Sequence, residues 1–112
     1  MTKLYLSPEA KNDLHEIKTY ITEELLNETA ALNVVTNITA SIRKLSDFPG
    51  MGASLSSIVD IETQYRFLVC GHYTAFYHIE GNSVYVDRVL YGRRDFMKVL
   101  FGESAGDRQG SS

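Results

Sequence analysis

Four arginines dominate the second half of this chain: Arg66, Arg88, Arg93 and Arg94. A guanidinium group keeps its charge at any working pH and fits a phosphate with two parallel N–H donors. His72, Tyr91 and Asp95 are interleaved with them. Histidine moves a proton near neutral pH, and tyrosine stacks on a base or orients a hydroxyl. Together these residue types suit phosphate binding or phosphodiester chemistry. The stretch "YGRRDF" from Tyr91 to Phe96 raises the question most sharply. Two adjacent arginines follow an alternating run just where it ends. They are a solvated chain end, a salt-bridged clasp or a grip for phosphate. Each candidate also has an ordinary alternative: Arg66 and Arg88 can pair with Glu62 or Asp87 on a solvated face. The strand tyrosines can be core and rim packing.

Other chemistry finds little support. No CxxC, HExxH, carboxylate-rich calcium loop, Walker loop or GxGxxG occurs, so neither a metal nor a cofactor is expected. His15 falls on the polar side of a helix and reads as surface, and His78, near a hairpin turn, reads as exposed. Cys70 is the only cysteine, which rules out an internal disulfide. It lies in an apolar strand, and an inert core thiol is expected there. The chain has 112 residues, enough for one domain and one core. Its formal net charge of -3 excludes a generally basic nucleic-acid-binding surface, so such binding would need a local patch. No apolar run is long enough to span a membrane, and no signal peptide is evident, so a cytoplasmic protein is expected.

The elements that must position these groups follow from spacing. "KLYLS" alternates and predicts a short strand. Ser7-Pro8-Glu9 is a helix start, with a cap, a proline at the first helical position and an acid at the positive end. Ala10, Leu14, Ile17, Ile21 and Leu25 make one apolar face, with Asn12, Asp13, Glu16, Lys18 and Glu23 opposite. A second helix starts near Asn27 and carries Ala31, Val35, Ile38, Ile42 and Leu45 on one face. It ends before "SDFPG". The Gly/Ser-rich stretch after Gly50 predicts a loop with a short strand or turn at Ser57–Ile61. Three strands then crowd together, at Tyr65–Cys70, His72–Ile79 and Val84–Tyr91. Gly81 and Asn82 are expected to supply positive φ in the turn between the last two. "RRDFMKVLF" predicts a short terminal helix or strand extension. The expected fold is α+β: an N-terminal helix hairpin packed on a small twisted antiparallel β-sheet. One domain covers residues 1–101, and residues 102–112 read as a disordered tail.

From Lys3 to Phe101 the chain resembles the RelE/ParE superfamily of toxins from bacterial type II toxin–antitoxin systems. The resemblance rests on "LYLSPEAKNDLHEIKTYI", on "LSDFPGMG", and most specifically on "YRFLVCGHYTAFYHIEGNSVYVDRVLYGRRDF". It implies a growth-inhibiting toxin neutralised by a cognate antitoxin protein, with no cofactor. One branch cuts mRNA in the ribosome without metal, and the other poisons DNA gyrase. For the first branch the resemblance assigns Arg66 and Arg94, or its neighbour Arg93, to the phosphate. His72, Tyr91 and Asp95 become candidates for proton handling or positioning, and Arg88 for RNA binding. A ribosome-dependent mRNA endoribonuclease is the reading taken. A gyrase inhibitor without nuclease activity, or an inactive binding domain of the same fold, stands beside it. Three departures from the nuclease pattern favour the gyrase branch: Thr74 follows Tyr73 where many relatives have arginine, Leu68 stands where a basic residue is usual, and the chain is acidic.

Overall fold

The computed structural model describes residues 2–59, 62–92 and 95–102. The elements run β1 (Lys3–Leu6), α1 (Pro8–Glu24), α2 (Glu28–Arg43), β2 (Ala53–Ser54), β3 (Arg66–Cys70), β4 (Tyr73–Glu80), β5 (Ser83–Tyr91) and α3 (Phe96–Phe101). Single 3-10 turns lie at Lys44–Ser46 and Leu55–Ser57.

Both long helices start as their sequences dictate. The Ser7 hydroxyl accepts from the Ala10 amide at 2.9 Å and donates to the Asp87 carbonyl at 2.7 Å. One side chain thus caps α1 and ties it to β5. Asn27 caps α2 by accepting from the Ala30 amide at 2.9 Å. Leu26, in the link, adopts φ +52°. The α1 stripe holds with one change: the helix ends at Glu24, leaving Leu25 exposed at its end.

The sheet order is β1-β5-β4-β3-β2. The expected antiparallel meander is β3–β4–β5, and β2 adds to it antiparallel through Ala53↔Phe67 and Ser54↔Arg66. β1 pairs with β5 in parallel, from Lys3↔Ser83 to Leu6↔Val86, so the sheet is mixed. Such a pair needs a long crossover, and the helix hairpin with the strands after it provides one. The short strand foreseen at Ser57–Ile61 falls earlier, at Ala53–Ser54; Asp60 and Ile61 lie outside the described residues. In the β4–β5 turn only Gly81 has positive φ, at +57°. A two-residue hairpin with glycine first needs no second such residue, so Asn82 stays in the ordinary region. The register slips beside Phe76/Tyr77, where Val86 and Arg88 are the successive partners. This bulge falls at Asp87 and re-aims the side chains beyond it.

Helix residues Ala10, Ile38, Ile42 and Leu45 meet Leu68, Cys70, Ala75, Tyr77, Val84, Val86 and Val89 of the sheet to make the core. The expected tail beyond Gly102 lies outside the described residues.

Candidate functional site

The candidate residues separate into three places. Arg66 opens β3 opposite Tyr77. Its Nη2 donates to the Gly50 carbonyl at 3.0 Å and also to the Gly52 carbonyl, and its buried Nε has no acceptor among the described residues. Tyr77 works on the same loop. Its hydroxyl donates to the Pro49 carbonyl at 2.8 Å and accepts from the Gly52 amide at 3.1 Å. A Cβ at position 52 would stand 2.5 Å from the Phe67 carbonyl oxygen and 2.6 Å from the Tyr77 hydroxyl, so glycine is obligatory for this approach. Arg66 and Tyr77 therefore latch the "PGMG" loop onto the sheet.

Arg88 is the second place. Its Nε and Nη2 donate to Asp13 at 2.7 and 2.8 Å, and Asp13 accepts a third bond, from the Val89 amide, at 2.9 Å. The carboxylate is only 6% exposed. This corrects the polar-face reading of Asp13. β1 covers β5 only as far as Val86, so the Val89 amide on the strand edge needs an acceptor from elsewhere, and α1 delivers one. The hydrogen bonds that Arg88 donates to Asp13 raise the Arg88 pKa, with burial opposing. The pair is a fork-to-fork clasp between α1 and β5. Its partner is neither Glu62 nor Asp87, the pairings open to it on a solvated face. A signal was present in the sequence: Asp13 sits three residues after Ala10 and four before Ile17, which puts it at the edge of the apolar stripe and not on the far face.

The third place is the far end of the sheet. His72, exposed in the β3–β4 turn, has its ring 6.5 Å from that of Tyr91, at 27°. Tyr91 pairs with Tyr73 across β4–β5, with the rings edge-on at 5.4 Å. The Gly92 amide donates to the His72 carbonyl at 2.7 Å and pins the exit of β5 beside the turn. Burial, then the neighbouring Tyr91 and Tyr20, raises the Tyr73 pKa, so its hydroxyl stays protonated. Asp95 precedes α3 in the left-handed region at φ +54° and makes no capping bond with its side chain. Arg93 and Arg94 lie outside the described residues. The structure thus brings His72 and Tyr91 together. Arg66 stands at the opposite end of β3, roughly 13 Å from Cys70 at about 3.3 Å per residue.

Two further readings change or gain detail. His78 is half-buried where exposure was expected. Its Nδ1 lies 2.6 Å from Asp87 and its Nε2 2.9 Å from Glu80, and its ring stacks on Tyr85 at 5.2 Å. Burial pushes the Cys70 thiol pKa up, against a lowering hydrogen bond with Ser41, which fits an inert core cysteine. Among the described residues no group of three or more histidine, cysteine or acidic side chains is placed to hold a metal, and no helix is long and apolar enough to cross a membrane.

Residues 4–96 match the family of the ParE toxin of type II toxin-antitoxin systems, parDE. The chain belongs to the ParE toxin family. A ParE toxin is one half of a module, so a cognate antitoxin is its implied partner. A solved structure titled "Chromosomal ParDE TA system from P. aeruginosa" contains a chain of the same fold, with a TM-score of 0.69 at 22% identity. The match covers 81% of this ParE-family chain and 96% of that one. A comparison with curated protein sequences found no match.

Proposed function

We propose that this chain is a cytoplasmic ParE-type toxin that inhibits DNA gyrase by protein contact, is held in check by its antitoxin, and does not cleave mRNA. One observation carries the reading. The two described arginines that the sequence offers for phosphate, Arg66 and Arg88, donate their guanidinium groups to loop carbonyls and to Asp13, and Arg66 does so at the end of β3 opposite His72. Cleavage at a ribose 2′-hydroxyl needs a base, an acid and a cation around one phosphate. Separating these groups supports the gyrase branch over the ribosome-dependent endoribonuclease favoured from sequence. Membership in the ParE family supports it as well.

The test pairs two assays on the purified chain. The expected result is inhibited supercoiling or trapped cleavage complexes with DNA gyrase, and uncut mRNA in a cell-free translation reaction mapped by primer extension. Ribosome-dependent cuts within the A-site codon would overturn the proposal. Inactivity in both assays would leave the inert binding domain.

A further inference from the structure

The link between α1 and α2 breaks three local rules at once. First, Leu26 holds φ +52°, where a branched side chain is strained and glycine is usual. Second, Glu23 and Glu24 stand in the last turn of α1, which has no basic residue. Carboxylates there oppose the negative end of the helix dipole. Third, Leu25, Leu26 and Leu32 are 59%, 85% and 58% exposed. From Thr19 to Ile42 the chain carries Glu23, Glu24 and Glu28 but no lysine or arginine. None of the three glutamates has an ion-pair partner among the described residues. Each feature is unfavourable for the free chain, and sequences that violate local preference do so at functional sites.

One kind of partner compensates for all three. A basic protein surface with an apolar centre covers the leucines, neutralises the glutamates at the helix end and holds the link in its strained form. We infer that this hairpin tip is the surface that docks on DNA gyrase, against the basic residues with which that enzyme must hold DNA. Charge complementarity selects this occupant: a DNA-handling enzyme needs a cationic surface to neutralise phosphates, and the tip presents carboxylates around apolar side chains. The inference rests on the gyrase reading and names the contact it lacks.

The test uses two variants of the full chain, Glu23→Lys/Glu24→Lys and Leu26→Gly. Both remove a local strain, so both are expected to melt at the wild-type temperature or above it. That outcome separates loss of contact from loss of fold. With purified gyrase and plasmid, the charge-reversed chain is expected to need roughly tenfold more protein for half-inhibition. Wild-type inhibition is expected to weaken as salt rises. Leu26→Gly is expected to weaken it less. Unchanged inhibition by both folded variants, with an active wild type, overturns this inference alone. Loss of antitoxin co-purification with gyrase inhibition intact also overturns it, since the tip would then belong to the antitoxin. A wild-type chain without effect on gyrase overturns the parent reading and this one with it.

Discussion

The two faces of the sheet are built on different principles. Apart from Tyr77 and Cys70, the face under the helix hairpin is aliphatic, and it is closed: Ala75, Val84, Val86, Ile38, Ile42 and Leu45 are all at most 1% exposed. The other face is aromatic and half open. Tyr5 stacks on Tyr85 at 5.2 Å, and Tyr85 on His78 at 5.2 Å, both at 15°. Tyr65 meets the His78 ring edge-on at 6.0 Å. Helix α3 touches this face through Phe96 on Phe76 at 5.7 Å and Phe101 on Tyr65 at 5.6 Å, and buries none of its own residues. The first face concentrates apolar burial and therefore stability. The second distributes weak, partly wet contacts, each small and each tolerant of change.

The largest test of that contrast is Ile38→Ala. The residue is 1% exposed in the closed core, so its loss leaves a cavity and should cost about 3 to 4 kcal/mol in urea unfolding. Asp13→Ala comes next. It strands the Arg88 guanidinium and the Val89 amide, which lies in a buried environment. Arg88 keeps 29% side-chain exposure, so water offsets part of the penalty, and about 2 to 3 kcal/mol is expected. A cost near zero would show that the clasp is dispensable and that Arg88 is free for other work. Tyr77→Phe tests the loop latch. It removes the donor to Pro49 and the acceptor for Gly52, and should cost about 1 to 2 kcal/mol. Faster proteolysis in the Pro49–Ser54 segment should accompany it.

Much of the closed face was legible in the sequence because helical and strand periods are set by the backbone. Ala10, Ile21, Ala31, Ile38, Ile42 and Leu45 all sit where their spacing put them. Both helix caps and the three-strand meander followed from local residues too. The early β2, the ordinary φ of Asn82 and the end of α1 at Glu24 are local misses; the larger ones depend on contacts between residues far apart in the chain. Asp13 looked polar until an unpaired edge amide on β5 gave it a reason to be buried. β1 looked like part of an antiparallel sheet because its parallel partner lies 80 residues on, at Lys3↔Ser83. His78 looked exposed because Asp87 reaches it only across a bulge. At the candidate site, residue types were legible and convergence was not. His72 and Tyr91 meet because a turn and a strand end coincide. Arg66 is at the other end of its strand, a matter of register that no local pattern reports.

The open face makes the smallest and most specific prediction, through Asp87. Burial raises its pKa first; the His78 hydrogen bond and charge lower it, while Glu80 and Glu9 raise it again. The net shift is upward, so the folded chain holds the Asp87 proton more tightly than the unfolded chain does. The stability this gives is fully present below the unfolded carboxylate pKa, and it is lost as pH rises through the folded value. Asp87→Asn keeps a side-chain acceptor for His78 and cannot ionise. The variant should therefore gain on the wild type as pH rises from below the ordinary carboxylate pKa through the raised folded value. Total change should stay below about 1 kcal/mol, since the pair is partly exposed. Urea unfolding of both proteins across that range measures the difference directly. If the variant instead loses ground as pH rises, pairing with His78 outweighs desolvation. The open face would then be held by an ion cluster of the same kind as the Asp13–Arg88 clasp, and the contrast between the faces would be one of packing alone.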